Sequence, residues 1–425
     1  MATAPGAPDS KATATGEMPR GGLLGLGSYA WTRIRQGELG QMPALIGLIA
    51  IWTFFQYRQP TFLTARNLSN LVLQIGVTGT IAVGIVLVLL LSEIDLSVGA
   101  VSILASAVLA NLLVNHGWPW YWALAMMLVV GAAIGAFQGF WFAVIGVPSF
   151  VVTLAGLLSW QGVQQWVLGQ NGTINVLDKR IDAIANTPLP KWLGWLLAAG
   201  FLVVYAATRI EHQVRRRREG LPAKPIVVVT IQTVFVGAVA LMAVAILNGN
   251  MSHVWVFGKA VYLQEGVPVI GVILLGLVVF FAWVTTRTQF GRYIYAVGGN
   301  AEAARRAGVN VTAIRIAVFS LCGLLASVAG LIQVSRLQSA SNSIEPGQVT
   351  LEAIAAAVIG GTSLFGGRGT VWSALLGAVV IGSVSNGLDL DGQQPYVKLI
   401  VEGAILLLFV TIDALARRER AARGG

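Results

Sequence analysis

Twelve apolar runs, most of them as long as a membrane-spanning helix, restrict the fold of this chain more than any other feature. A helix needs ~20 apolar residues to cross the hydrocarbon core of a bilayer. Within that core every backbone polar group must be satisfied inside a helix or a closed barrel, so long continuous runs predict helices. The runs lie near 42–57, 69–91, 97–115, 121–145, 150–168, 192–208, 226–247, 267–285, 314–334, 351–364, 371–388 and 397–413.

The composition excludes an ordinary soluble protein. Hydrophobic residues make up 56% of the 425 residues and charged residues only 11%, whereas about a quarter of the residues in a soluble domain are charged. Such a chain lacks the polar side chains to cover its own surface. We therefore expect an all-α polytopic membrane protein with about twelve transmembrane helices.

The basic residues predict how the chain is oriented. The net charge is +10, and Lys and Arg concentrate in the cytoplasmic segments of membrane proteins. With the N-terminus inside, 20 of the 28 Lys and Arg residues fall in inner segments. We therefore expect both termini in the cytoplasm, a multi-pass location in the inner or plasma membrane of the cell, and no role in nucleic-acid binding.

Three regions are predicted along the chain. Residues 1–40 are largely small and polar, which is typical of a disordered cytoplasmic tail. The transmembrane domain is expected over 41–415, with a cytoplasmic loop or helix at 287–313. Residues 416–425 form a basic C-terminal tail.

Motifs of the common enzyme and ATPase classes are absent from the sequence. There is no HExxH, no GxSxG elbow and no His, Cys and acid cluster at metal-ligand spacing. No GxxxxGK[ST] loop occurs, so the chain does not hydrolyse ATP through a P-loop. Acids lie near the ends of the runs rather than at their centres, where ion-driven carriers place them. We expect no enzyme activity, no metal and no cofactor, and a conduit that another protein powers.

The segment 287–313 has the features of a short cytoplasmic helix. Asn300 is a favourable N-cap, Glu302 lies in the first turn, and Gly308 fits the position after the last turn. Small and charged side chains alternate there, which favours close approach by another protein's surface. The predicted docking residues are Gly299, Asn300, Glu302, Ala303, Ala304, Arg305, Arg306 and Gly308.

Two further segments, 92–99 and 360–369, interrupt apolar runs with polar residues and glycine. Irregular backbone of this kind borders the transport pathway in many transporters. Tight turns that cap helices, with Asp95 as the N-cap of the third run, explain the pattern equally well. The candidate pathway or gate residues are Glu93, Asp95, Ser97, Gly360, Gly361, Thr362, Ser363 and Asn386.

Polar and small residues inside the runs have two readings. Gln74, Gln138, Gln333 and Asn386 are able to hydrogen-bond either a hydrophilic solute or a neighbouring helix. The glycines of the fourth run, at 131, 135 and 139, favour close packing of two helices.

Several of these segments, in this order, resemble the permeases of ABC sugar importers of the ribose, xylose and galactose class. The matching stretches are 93–99, 147–156, 290–300, 303–308, 352–356, 360–367 and 386–387. The resemblance covers most of 42–415 and is greatest to xylose-importer permeases, because it includes the Arg-rich inner loop at 215–218 and the runs that follow it. The N-terminal tail and the outer loop 169–191 match little.

The resemblance implies a permease subunit that moves a monosaccharide inward, with a pentose such as xylose as the substrate. It also implies a homodimer in membrane lipid, an extracytoplasmic sugar-binding protein and a separate ATP-binding subunit. In such a complex the helix from Ala301 to Ala307 lies against the ATPase and couples hydrolysis to transport.

Two rival functions are left open by the residues. A secondary sugar carrier of the major-facilitator type also has about twelve spans and a basic middle loop. That fold typically has a basic signature between its second and third spans, where this chain has Glu93 and Asp95. A passive channel or scaffold subunit is the other rival. Uptake that stops with a protonophore but survives ATP depletion would favour the carrier.

Overall fold

The computed structural model describes residues 41–220, 226–249, 253–256, 259–262 and 266–422. The predicted tail 1–40 and the last three residues of the basic tail lie outside the described residues. The chain divides into a larger unit, 40–195 with 243–414, and a smaller one built from 196–242 and the segment from 415 onward. Each unit is described by itself.

Each of the twelve predicted runs coincides with a helix in the described part of the chain. These helices are α1 Met42–Arg58, α2 Ala65–Leu90, α3 Val98–Val114, α4 Trp120–Phe140, α5 Ser149–Leu168, α7 Lys191–Arg218, α8 Ile226–Leu247, α9 Val269–Arg287, α12 Val311–Leu337, α13 Pro346–Ile359, α14 Trp372–Leu390 and α15 Pro395–Ala422. Eight helices of the described residues are long and apolar enough to cross a membrane, and α3 and α13 are shorter apolar helices. The all-α membrane fold is therefore confirmed.

The remaining elements are short. They are a π-helical turn Trp141–Ile145, β1 Thr173–Asn175, α6 Lys179–Asn186, β2 His253–Val256, β3 Lys259–Tyr262, α10 Gln289–Gly299, α11 Ala301–Arg306 and β4 Ser339–Ser341. Strand β1 pairs antiparallel with β4, and β2 pairs antiparallel with β3.

Helix α13 differs from the predicted run 351–364 by starting and ending about five residues earlier. Pro346 occupies the first turn, where its missing N–H costs nothing. The helix stops before Gly360 and Gly361, and Gly361 has a φ of +105°. Thr362 and Ser363 therefore belong to a loop rather than to a span.

The core of the larger unit is built around α2 and α12. Nearly every residue of α2 from Leu71 to Leu90 is buried, and α12 packs against α2, α3 and α4. The three glycines of α4 allow the closest contact. A Cβ atom at Gly135 would lie 2.1 Å from the carbonyl oxygen of Phe319, and one at Gly131 would lie 1.9 Å from the Oγ of Ser327. The packing interpretation of these glycines is thus confirmed.

Hydrogen bonds between loops define two ends of the larger unit. We call the first the Glu93 end; it joins 91–97, the start of α5, the segment 288–310 and the loop 360–371. We call the second the Asp391 end; there Arg58 bonds Asp391 and β1 pairs with β4. The ends lie on opposite sides of the helices, as alternating spans require.

The smaller unit consists of the C-terminal part of α7, the N-terminal part of α8 and the last turns of α15. Several apolar side chains of its helices are exposed: Val203, Val204, Val234 and Phe235 are each more than half exposed. One exposed ion pair, Arg215 with Glu219 at 2.9 Å, lies at the end of α7. Such apolar faces are typical of helices in contact with lipid.

Candidate functional site

Three segments singled out by the sequence meet at the Glu93 end. They are the polar turn 91–97, the helix pair α10–α11 and the loop 360–371, which we call the glycine loop. The side chain of Ser92 joins all three, because its Oγ lies 2.9 Å from the carbonyl oxygen of Gly298 and 3.0 Å from that of Phe365. The backbone N–H of Gly367 donates to the carbonyl of Leu90 at 3.0 Å.

Glycine permits this close approach. A Cβ atom on Gly298 would lie 1.7 Å from the carbonyl oxygen of Leu90. A Cβ atom on Gly366 would lie 1.7 Å from the Oγ of Ser92, and Gly366 has a φ of +76°. Ser92 itself has a left-handed φ of +66°, which is uncommon for a residue with a side chain. The junction is therefore sterically specific and partly strained.

The hydroxyl of Tyr295 adds a further bond between α10 and the glycine loop. It donates to the carbonyl oxygen of Gly369 at 2.8 Å. The polar turn, α10 and the glycine loop are thus joined through backbone groups as well as side chains.

Glu93 anchors the polar turn to two other helices. Its carboxylate accepts a hydrogen bond from the Oγ of Ser149 at 2.7 Å and pairs with Arg315 at 3.3 Å. The guanidinium of Arg315 lies 4.5 Å from the ring centroid of Phe142, a cation–π contact. Burial raises the pKa of Glu93, and the bond from Ser149 and the charge of Arg315 oppose that rise. The turn is thereby fixed to α5 and α12.

Asp95 organises the start of α3. Its Oδ1 accepts bonds from the backbone N–H of Ser97 at 2.9 Å and from the Oγ of Ser97 at 2.7 Å. The N-cap position of α3 is held by Ser97, not by Asp95, so the N-cap reading of Asp95 was off by two residues. The side chain of Ser97 also lies 3.0 Å from the Oε1 of Gln138. Burial raises the pKa of Asp95, and its bonds with Ser97 oppose that rise.

The glycine loop is a compact turn that begins where α13 ends. The backbone N–H groups of Gly361 and Thr362 donate to the last turn of α13, and the N–H of Ser363 donates to the carbonyl of Arg368 at 3.0 Å. Gly360 lies so close to α14 that a Cβ atom would be 1.9 Å from the carbonyl oxygen of Ser373. The Oγ1 of Thr362 is buried without a hydrogen-bond partner in the described structure.

Helix α11 has the predicted local structure. The Oδ1 of Asn300 accepts from the backbone N–H of Ala303 at 2.9 Å, and Gly308 has a φ of +85°. Glu302 pairs with Arg305 at 3.3 Å and with Arg306 at 3.2 Å, and all three side chains are more than half exposed.

Two small residues of this helix differ from each other. Ala303 is exposed next to the charged side chains, whereas Ala304 is buried in the core of the larger unit. Ala304 therefore packs within its own chain and leaves the charged face, with Gly299 before it, as the surface open to a partner.

Asn386 does not join the other candidates. It lies near the Asp391 end, where its Oδ1 accepts from the Nδ2 of Asn67 at 2.7 Å. The same Nδ2 donates to the carbonyl oxygen of Phe62 at 2.8 Å, and both Asn side chains are buried. The sequence left open whether Asn386 bonds a solute or a neighbouring helix. In the structure it bonds Asn67 of the neighbouring helix α2.

Ser92, Tyr295 and Ser149 lie in segments that the sequence singled out, but sequence reasoning selected neither them nor Arg315 as site residues. Arg315 entered only as one of many inner cations, and the serines and the tyrosine carry no spacing that marks them. The glycines beside them, Gly298 and Gly366, were the available signal, because adjacent glycines at a helix end predict close backbone contact.

Comparison with known proteins identifies the family. Residues 67–410 match the family model described as "Branched-chain amino acid transport system / permease component". The chain is 39% identical over 378 residues to the xylose transport system permease protein XylH of Escherichia coli K12, covering 88% of this chain and 92% of that protein. No solved structure matches the chain.

Two other relatives are permeases for different sugars. The ribose import permease protein RbsC of Escherichia coli K12 is 34% identical over 379 residues, covering 88% of this chain and 94% of that protein. The fructose import permease protein FrcC of Rhizobium meliloti is 30% identical over 382 residues, covering 89% of this chain and 86% of that protein. These relatives are subunits of transport systems rather than enzymes. The chain, with its apolar helices and its tied loops at the Glu93 end, belongs to this family of membrane-embedded transport permease components.

Proposed function

We propose that this chain is the membrane-spanning subunit of an ATP-driven importer for a monosaccharide, with a pentose such as xylose as the substrate. A separate subunit binds and hydrolyses ATP, and an extracytoplasmic protein delivers the sugar. Two copies of the chain form the permease in membrane lipid. The relatives named for xylose, ribose and fructose support a sugar, and the greater identity to the xylose permease supports a pentose.

One structural observation supports coupling to an outside motor. An exposed, charged helix, α11, follows α10 with only Asn300 between them. Helix α10 is bonded to the polar turn through Ser92 and Gly298 and to the glycine loop through Tyr295 and Gly369. A partner that binds and displaces α11 would therefore also displace the ends of α2, α3 and α13. Local hinge motion of this kind is how packed helices convert a small displacement into opening and closing.

The positions of the cations support a cytoplasmic Glu93 end. Arg287, Arg292, Arg305, Arg306 and Arg368 belong to loops or helix ends there. Cytoplasmic segments are enriched in Arg and Lys. An ATP-binding subunit in the cytoplasm would then meet α11 directly, and the Asp391 end would meet the sugar-binding protein outside the membrane.

A charge exchange on α11 tests this function. In the Glu302→Lys, Arg305→Glu double variant the charges of the first ion pair are exchanged, so the pair itself is kept, while the pair of Glu302 with Arg306 is lost. We expect ATP hydrolysis by the reconstituted complex to continue while uptake of labelled xylose falls about tenfold or more, because a typical coupling energy is lost. The matched control is Arg215→Glu, Glu219→Arg, which inverts another exposed helical pair.

Two results would contradict the proposal. The first is normal uptake by the α11 double variant in proteoliposomes that contain the ATP-binding subunit. The second is uptake by wild type that needs a proton gradient and persists without ATP, which would favour a secondary carrier.

A further inference from the structure

A polar cavity lies inside the larger unit near the Asp391 end, far along the helices from the tied loops. Its volume is about 220 Å³, many times the space that one water molecule needs. It opens between α2, α12, α13 and α14. The polar side chains that line it are Gln74, Thr78, Gln333, Arg336, Glu352, Ser385 and Asp389.

Gln333 is the most telling of these residues. The residue is only 8% exposed, and its Oε1 is enclosed without a hydrogen-bond partner among the described residues. A buried amide oxygen without a partner is costly. Because Gln333 belongs to the cavity wall, rotation of its amide would bring this oxygen to a polar guest that supplies the missing bond.

Other lining groups are only partly satisfied. Glu352 accepts a bond from the Nε2 of Gln348 at 2.9 Å and a long one from the Oγ1 of Thr78 at 3.5 Å, which leaves acceptor capacity free. The guanidinium of Arg336 lies on the same wall, where it interacts electrostatically with Asp389, and it can donate five hydrogen bonds. The wall thus offers both donors and acceptors.

The wall carries charges of both signs. Glu352 and Asp389 are acidic and Arg336 is basic. Next to the wall, Lys398 of α15 pairs with Asp389, and the carboxyl of Glu402 lies close enough to interact electrostatically with Glu352, Asp389 and Lys398. Such a mixture of groups suits a molecule with several hydroxyl groups, each of which is a donor and an acceptor.

The rest of the wall is apolar. Ile75, Val77, Val349 and Ile381 also line the cavity. Small-molecule sites combine apolar surface with a few placed polar groups. A sugar ring has the matching pattern, since its hydroxyls point outward around the edge and its C–H bonds cover the two faces.

We propose that this cavity binds the monosaccharide as it enters the membrane, with the amide oxygen of Gln333 accepting a sugar hydroxyl and the carboxylate of Glu352 and guanidinium of Arg336 binding others. This inference rests on the proposed function and assigns a binding site to the sugar that is transported. Gln74 and Gln333, left open by the sequence between solute and helix contacts, both belong to the wall of the site.

A protection experiment tests the site without relying on transport. Ser385→Cys places a thiol on the cavity wall, and a hydrophilic methanethiosulfonate reagent reports its accessibility in the purified full chain. Cys322 is the single native cysteine and is buried, so the unsubstituted chain measures background labelling. Ser343→Cys, on an exposed loop at the same end, is the matched control.

We expect D-xylose at about twice its dissociation constant to slow labelling of Ser385→Cys about threefold. Xylose should not change the labelling rate of Ser343→Cys. Betaine at the same concentration as xylose, used as a control solute, should change the labelling rate of neither variant. Adding Gln333→Leu should weaken the protection about tenfold in sugar concentration, the effect of one lost hydrogen bond. Two results would overturn the proposed binding site. In the first, xylose fails to protect Ser385→Cys at every concentration tested. In the second, xylose protects Ser385→Cys and Ser343→Cys equally.

Uptake by the reconstituted complex separates this inference from the proposed function. Gln333→Leu should raise the KM for xylose about tenfold, whereas Gln164→Leu, a buried glutamine that bonds Ser341 outside the cavity, should not. If wild type shows no ATP-driven uptake but xylose still protects Ser385→Cys, the proposed function fails and the site stands. If uptake is normal and Gln333→Leu leaves both KM and protection unchanged, the site fails and the function stands.

Discussion

The Oγ of Ser92 lies 2.9 Å from the carbonyl oxygen of Gly298, although 206 residues separate the two along the chain. This bond connects the end of the most buried helix, α2, to the helix pair that exposes a charged face. It brings the polar turn into direct contact with the segment 287–313.

Substitution of Gly298 tests the steric side of this junction. In Gly298→Ala the new Cβ would overlap the carbonyl oxygen of Leu90, and backbone cannot rotate out of the way. We expect a loss on the order of 2 kcal/mol in the free energy of unfolding, together with uptake that no longer follows ATP hydrolysis. Thermal unfolding in detergent and coupled uptake assays measure the two effects.

The neighbouring glycine provides the control. A Cβ on Gly299 would meet no atom within 4 Å, so Gly299→Ala should keep the melting temperature or raise it slightly, as alanine favours a helix. Equal destabilisation by both variants would show that helix geometry, rather than the Leu90 contact, is responsible.

Loss of Arg315 should make stability depend more strongly on pH. Burial raises the pKa of Glu93 above its ordinary value of 4.5, so the folded protein holds this proton more tightly than the unfolded chain does. Stability contributed by the group is therefore present at low pH and declines as pH rises through the raised pKa. Arg315→Met removes the opposing positive charge and should cost about 2 kcal/mol at pH 8 and less at pH 5.

Melting temperatures at the two pH values check this prediction. Arg292→Met, which removes an exposed cation at the same end, should show little change at either pH. Adding Glu93→Gln to Arg315→Met should recover part of the loss at pH 8, because the uncompensated charge is gone. An equal loss at pH 5 and pH 8 would mean that packing on Phe142, not the Glu93 charge, is what Arg315 provides.

The buried amide pair of Asn67 and Asn386 should act on stability and not on sugar affinity. Each single change to Leu leaves a polar partner without its bond and should cost about 1–2 kcal/mol. The double change removes both polar groups and should cost less than the sum. A thermal double-mutant cycle measures this coupling, and the KM for xylose should remain that of wild type. A raised KM at an unchanged melting temperature would instead place Asn386 on the pathway.

Local patterns were sufficient for some parts of this protein. The apolar runs predicted the helices because lipid requires backbone groups to be satisfied within each segment. The cap at Asn300 and the stop at Gly308 predicted α11 because capping involves only neighbouring residues. The predicted end of α13 lay too far along the chain, because the apolar run was extended to Leu364, whereas the helix ends before Gly360 and Gly361.

The sequence by itself determined the class of protein, the positions of the apolar helices and the charged helix, since each follows from residues that lie close together in the chain. Only the tertiary structure decided that Ser92 meets Gly298, that Glu93 meets Arg315, and that Gln333 faces a cavity with Glu352. Those contacts depend on how α2, α12 and α13 pack, and packing is a property of side-chain shapes brought together from distant parts of the chain.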